Sequence, residues 1–239
     1  MKASMRLASL VLMVIPAAVA AVAALAAQGP QRVVAVGGAV TEIVYALGAG
    51  ERLVAVDSTS VHPADARTLP QVGYMRSLSA EGVLGMRPDL ILATSEAGPA
   101  AVLAQLRTAG APLITVPSDH SIETLRTRVR TVAKALGLET RGAKLEQELV
   151  AQWQATREHV ARLGGRPKVL FLLAHTGNTA MVAGSGTAAE AMIRYAGAQN
   201  AITGFEGYKP LTAEAALTAA PDVILITTEG LENMGGREG

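Results

Sequence analysis

The sequence predicts an α/β protein built of two Rossmann-like lobes joined by a single long helix. Three observations carry that prediction. Short aliphatic runs alternate with segments of helical period, one segment occurs twice, and a long amphipathic stretch lies between its two copies. The first copy reads Gly73-Tyr74-Met75-Arg76-Ser77-Leu78-Ser79-Ala80-Glu81 and runs on to Pro88-Asp89-Leu90-Ile91-Leu92. The second reads Gly207-Tyr208-Lys209-Pro210-Leu211-Thr212-Ala213-Glu214 and runs on to Pro221-Asp222-Val223-Ile224-Leu225. Leu-(Ser/Thr)-Ala-Glu, six residues, then Pro-Asp and three aliphatics recurs without a gap. Each half is therefore expected to hold the same loop, short helix and buried strand, with a matched tyrosine loop on each lobe.

The elements follow in order. Arg32 to Val36 is an aliphatic run that meets Gly37-Gly38, after which Thr41 to Leu47 places apolar residues at helical spacing until Gly48. Leu53 to Val56, Leu90 to Ala93 and Leu113 to Val116 read as further strands, with a helix from Ala100 to Ala109 between the last two. This alternation predicts a parallel sheet covered by helices. From Thr140 to Leu163, Leu145, Leu149, Trp153, Thr156, Val160 and Leu163 recur every three or four positions, and Gly164-Gly165 ends the pattern. Such a helix of about 24 residues is roughly 36 Å long, enough to pass from one domain to another. Lys168 to Ala174 then restarts a strand, Thr187 to Ala196 a helix, and Pro221 to Thr227 the strand of the second copy, so the second lobe is expected to repeat the order of the first. After Ile226 only a short glycine-rich tail remains, in which neither strand nor closing helix is expected, so the second lobe reads as truncated. The predicted boundaries are 1–27 for an export signal, 28–138 for the first lobe, 139–164 for the linker helix and 165–239 for the second lobe.

The export signal is read from Lys2 and Arg6 as a basic start, an uncharged run from Leu7 to Ala27, and the small residues of Ala24-Leu25-Ala26 at a cleavage site. An uncleaved anchor is the alternative, since 21 uncharged residues reach bilayer length. Pro16 and the alanine-rich second half of the run favour cleavage. The 239 residues, 50% of them hydrophobic, suffice for a sizeable core in each lobe. Without Lys2 and Arg6 the chain keeps 19 basic and 20 acidic residues, a balance that offers no footprint for nucleic acid. There is no cysteine, hence no disulfide framework and no thiol for lipid attachment, and a soluble periplasmic protein is expected.

Few residues point to chemistry. The four histidines form no HxxxH or HxH pair, which argues against structural zinc. His62, His120 and His159 read as solvated or capping residues, whereas His175 ends the first strand of the second lobe, where an open α/β sheet lines its crevice. Gly37-Gly38-Ala39-Val40-Thr41-Glu42 lacks the spacing of GxGxxG, no GxxxxGK(S/T) occurs, and Gly184-Ser185-Gly186 does not match GxSxG. Tyr74 and Tyr208 stand out in a chain with four tyrosines, two phenylalanines and one tryptophan. Arg76 lies two positions beyond Tyr74. A guanidinium beside a phenol favours the phenolate, a hard anion suited to ferric iron, and tyrosine is a known axial ligand of haem. The alternation of Met75 with Arg76 suits a flat apolar macrocycle that bears carboxylates.

On these residues the chain resembles the periplasmic haem-binding proteins of bacterial ABC haem importers, within the cobalamin and siderophore class of substrate-binding proteins. The resemblance covers about Arg32 to Thr228 and is most specific in Val72-Gly73-Tyr74-Met75-Arg76-Ser77-Leu78-Ser79-Ala80-Glu81-Gly82. Gly207-Tyr208-Lys209-Pro210-Leu211 and Ala174-His175-Thr176-Gly177 add to it. It implies two α/β lobes with the ligand in a cleft between them, Tyr74 as the haem-iron ligand and Arg76 bonded to its phenolate or to a propionate. It further implies His175 as the counterpart of the second iron ligand in relatives that hold two haems, and Tyr208 and Lys209 as cleft wall or propionate contacts. Glu81 and Glu214 match the one glutamate per lobe that docks on the membrane permease. The implied partners are haem, the ABC permease with its ATPase, and an outer-membrane receptor system upstream, the carrier itself being a monomer and not an enzyme. A cobalamin or ferric-siderophore carrier of the same fold stays open, and so, from another class, does a Rossmann-like α/β enzyme.

Overall fold

The computed structural model describes residues 29–174 and 180–236, so the predicted export signal and His175 lie outside the described residues. The chain divides after Glu148 into two compact units.

In the first unit the order is β1 (Val33–Val36), α1 (Gly38–Ala46), β2 (Leu53–Val56), a hairpin of β3 (Gly73–Tyr74) and β4 (Ser77–Leu78), then α2 (Ala80–Gly85) and β5 (Leu90–Thr94). α3 (Ala100–Thr108), β6 (Leu113–Val116), α4 (Ile122–Leu136) and the start of α5 (Glu139–Leu163) follow. The main sheet has the order β2-β1-β5-β6, all parallel. β1 lies at its centre, and its four residues are fully buried because helices cover both faces. Val34, Val36, Ile91 and Ala93 share one core cluster with Val83 of α2 and Leu106 of α3. By the alternation of strand side chains, Val33, Ala35 and Leu92 face the other way, toward α1 and α4.

α4 begins at Ser121, whose hydroxyl accepts from Thr124 N–H at 3.0 Å, and ends at Gly137 in the left-handed region. The first turns of α5 are tied to α4 by Glu146, which takes both Arg130 (2.5 and 2.6 Å) and Arg126 (2.8 Å). Arg130 and then Arg126 hold the Glu146 carboxyl below its usual pKa.

The second unit differs from what the repeat predicts. β7 (Lys168–Ala174) is paired in antiparallel fashion by β8 (Ala180–Ala183), and α6 (Ala188–Tyr195), β9 (Gln199–Asn200) and β10 (Tyr208–Pro210) precede α7 (Ala213–Ala219) and β11 (Val223–Ile226). The path β10-β8-β7-β11 is therefore a mixed sheet, with β9 parallel to the start of β7. The second lobe thus does not repeat the order of the first. Where β1 leads directly into a helix, the chain of the second unit comes back as a strand before its helix begins. The tyrosine segments also differ. Tyr74 stands four residues before Leu78 and sits in a hairpin, whereas Tyr208 stands three residues before Leu211 and sits in an edge strand.

Two further expectations are corrected. β11 is not buried, since Val223, Ile224 and Leu225 are about half exposed, the highest at 58%. It pairs with β7 on one side, and no strand among the described residues pairs with the other. A closing helix, α8 (Thr228–Asn233), does follow it. Thr227 caps this helix by accepting from Gly230 N–H at 3.0 Å, so the glycine that counts against a helix in the sequence supplies its capped amide.

The Pro-Asp of each repeat copy acquires a structural role. Asp89 accepts from the amides of Gln31 (2.8 Å) and Arg32 (2.9 Å), and its own amide donates to Arg32 O at 2.9 Å. Asp222 repeats the pattern on Lys168, accepting from its amide at 2.7 Å and donating to its carbonyl at 2.9 Å. Each aspartate therefore fixes where its strand starts against the neighbouring strand. Asp89→Ala is expected to destabilise the first unit by about 1 kcal/mol in chemical denaturation, with Asp89→Asn, which keeps one acceptor oxygen, costing less.

Candidate ligand-binding site

The carboxyl ends of β1, β2, β5 and β6 form one rim of the first unit, the place where open α/β sheets bind ligands. Asp57, one residue beyond β2, is fully buried there. Its Oδ1 accepts from Gly37 N–H at 2.8 Å and Ser60 Oγ at 2.9 Å, and its Oδ2 from Thr59 N–H at 3.0 Å and Thr59 Oγ1 at 2.7 Å. A buried carboxylate persists only when its oxygens are satisfied, and these four donors meet that need. Gly37 takes part with φ +105°, a conformation that L side chains rarely adopt, as it turns from β1 into α1.

That arrangement sets the course of residues 57–60, and Ser58 N–H donates to Gly73 O at 2.9 Å. Gly73, at φ +100°, is the residue that aims the chain into the hairpin. On the far side, Gly98 N–H donates to Met75 O (2.9 Å) and Leu78 N–H to Gly98 O (3.0 Å). The hairpin is thus pinned to the loops that follow β2 and β5. Met75 packs half-buried against the core, while Tyr74 is 43% exposed.

Arg76 Nη1 donates to Tyr74 Oη at 3.2 Å, and Nη2 is bound by the Glu96 carboxylate. The bond to Glu96 is the main reason that the guanidinium pKa is held above its usual value. Glu96 forms part of the wall of a cavity of about 270 Å³, together with Gly37, Gly38, Thr59, Met75 and Arg128. Burial lowers the pKa of Arg128, whose Nε and Nη2 donate to Pro117 O and Asp119 O, both at 2.6 Å. Asp119 is pulled down to about 2 by Thr124 and Ser121. Among the described residues, no group of three or more His, Asp or Glu side chains is arranged to hold a bare metal ion.

In the second unit, Tyr208 and Lys209 lie on β10, opposite Ala183 and Val182. The Lys209 ammonium sits 4.9 Å above the Phe205 ring. Glu81 and Glu214 are both exposed in the first turn of a short helix, two residues beyond its cap. The caps correspond: Ser79 Oγ accepts from Gly82 N–H at 3.3 Å and Thr212 Oγ1 from Ala215 N–H at 3.1 Å. The structure therefore joins Tyr74 and Arg76 into one hydrogen-bonded pair, and gives each glutamate the same local setting.

A family model described as periplasmic binding protein matches residues 33–239. This chain belongs to that family. Among solved structures, the periplasmic heme-binding protein BhuT in complex with two hemes is 50% identical, with 86% of this chain and 80% of that one covered and a TM-score of 0.82. The periplasmic heme-binding protein RhuT from Roseiflexus sp. RS-1, in apo form, is 41% identical, with 87% and 80% covered and a TM-score of 0.83. Among curated proteins, the uncharacterized ABC transporter substrate-binding lipoprotein YvrC of Bacillus subtilis is 27% identical over 206 residues, which are 85% of this chain and 65% of that protein. A vitamin B12-binding protein of Vibrio campbellii is 26% identical over 212 residues, 87% of this chain and 75% of that one. The chain thus spans about two thirds to four fifths of the length of these relatives.

Asp57 and Glu96 escape a reading of the sequence that looks for motifs. The signal is present nonetheless: Asp57 directly follows β2 and Glu96 lies two residues beyond β5, close to strand ends as His175 is. Asp57→Ala removes the common acceptor of four donors and is expected to destabilise the first unit by about 3 kcal/mol, read from its denaturant midpoint.

Proposed function

We propose that this chain is the periplasmic carrier of an ABC importer that captures ferric haem through Tyr74 and delivers it to a membrane permease and its ATPase. The observation that carries the reading is the Tyr74–Arg76 pair on the rim hairpin, 3.2 Å apart, in a chain 50% identical to a heme-binding relative. A tyrosine that is 43% exposed on a pinned hairpin is open to a large flat ligand, and a phenolate oxygen is a suitable donor for ferric iron. Arg76 serves this by donating a hydrogen bond to the same oxygen that faces the metal. Tyr208 and Lys209 are proposed as contacts to the macrocycle or its carboxylates. His175, beyond the described residues, is proposed as a second iron-facing residue when two haems are held, as they are in the BhuT complex.

In this reading the protein is exported to the periplasm and acts by binding and release, with no reaction catalysed. Glu81 and Glu214 are the proposed contacts to cationic residues of the permease. Helix-dipole stabilisation accounts for a glutamate in one first turn, and permease docking accounts for the same capped position recurring in both units. A cobalamin carrier is the second reading, favoured by the similarity to the vitamin B12-binding protein of Vibrio campbellii.

Titration of the apo-protein with haem, cobalamin and a ferric siderophore is expected to give tight binding and a phenolate-to-iron charge-transfer band with haem alone. Tyr74→Ala should abolish that band and weaken haem binding. Preference for cobalamin, or a spectrum unaltered by Tyr74→Ala, contradicts the reading. The double variant Glu81→Ala, Glu214→Ala is expected to bind haem as before and lose stability by no more than about 1 kcal/mol per site. Haem-dependent growth of cells that carry it should fail, and undiminished growth contradicts the docking role.

A further inference from the structure

We propose that Glu96 is a positioning residue for the ligand tyrosine: it holds one edge of the Arg76 guanidinium and thereby presents the other edge to Tyr74 Oη. The inference rests on the reading of Tyr74 as the haem ligand given above.

A guanidinium is planar, with its donors in a fixed fork, so securing one terminal nitrogen orients the other. Here Nη2 is bound by Glu96 Oε2, and Nη1 lies 3.2 Å from Tyr74 Oη. The Arg76 side chain is 54% exposed and carries many rotamers, so one neutral hydrogen bond to a phenol would hold it weakly. The carboxylate supplies the stronger, charge-assisted anchor.

The meeting of Arg76 and Glu96 is built into the backbone. Arg76 is at the hairpin turn, Glu96 is in the loop after β5, and the two bonds between Gly98 and the hairpin lie beside them. The consequence is chemical as well as geometric. Paired with Glu96, Arg76 acts on the phenol oxygen as an aimed donor, and its charge is already balanced before a ligand carboxylate arrives. The structure therefore assigns Arg76 to the iron-ligand oxygen, and not to a propionate. Arg128, across the same cavity, attracts Glu96 electrostatically but directs its Nε and Nη2 to Pro117 O and Asp119 O, so that Arg76 is the hydrogen-bonded partner of Glu96. An exposed ion pair of this kind adds little to folding, so the positioning role can be separated from stability.

The test uses Glu96→Ala, Glu96→Gln and Tyr74→Phe in the otherwise intact protein. Nitrogen NMR of the Arg76 side chain in the apo-protein should show hindered guanidinium rotation in the parent, free rotation in Glu96→Ala and partial rescue in Glu96→Gln. With ferric haem bound, Glu96→Ala should dissociate about tenfold faster, with its charge-transfer band shifted and its unfolding midpoint unchanged. If Tyr74→Phe loses the band while Glu96→Ala leaves dissociation and band as in the parent, this proposal alone is overturned. Unhindered Arg76 rotation in the parent also overturns it. A band that persists in Tyr74→Phe overturns the haem-ligand reading, and this proposal with it.

Discussion

The buried carboxylate of Asp57 is the constraint on which the rim of the first unit depends. It takes an amide from the turn that starts α1 and three donors from its own loop, so the ends of β1 and β2 and the residues after them become one rigid piece. From that piece Ser58 reaches Gly73, and Gly98 reaches the other side of the hairpin. A tyrosine on a free surface loop would lose ordering entropy each time it met a ligand. On a hairpin pinned at both sides, most of that cost has been met in folding.

The duplicated segment separates what a fold needs from what a site needs. In both copies the aspartate ties strand to strand and the Ser or Thr caps a short helix, with a glutamate two residues beyond the cap. These parts fix the course of helix and strand and keep the same spacing in both copies. The tyrosine segments ahead of them do shift. One additional residue between tyrosine and leucine lets the first copy close into a hairpin with its own arginine, whereas the second copy pairs as an edge strand and commits its lysine to a phenylalanine ring.

Much of the first unit was legible because its strands are continuous aliphatic runs and three of its helices are followed by Gly48, Gly110 and Gly137. The pairing of β7 with β8 was not, since Ala180–Ala183 is too short to show a period and its partner is chosen by tertiary contact. α8 was hidden by its glycine, which a propensity argument rejects and the Thr227 cap accommodates. Tyr74 and Arg76 were legible as a pair because two residues of a hairpin stay neighbours in space. Glu96 is 20 positions from Arg76, and only the folded backbone brings the two together. Asp57 likewise follows an ordinary strand, and its burial cannot be read from the polar residues around it.

The proposed function depends on one bond, between the Tyr74 oxygen and ferric iron. Resonance Raman spectra of the ferric-haem complex, taken with and without ring-deuterated tyrosine, test it directly. Tyrosinate modes enhanced by visible excitation, and shifted by the deuterium, are the expected result. A histidine-ligated spectrum with no isotope-sensitive tyrosinate mode would contradict the account.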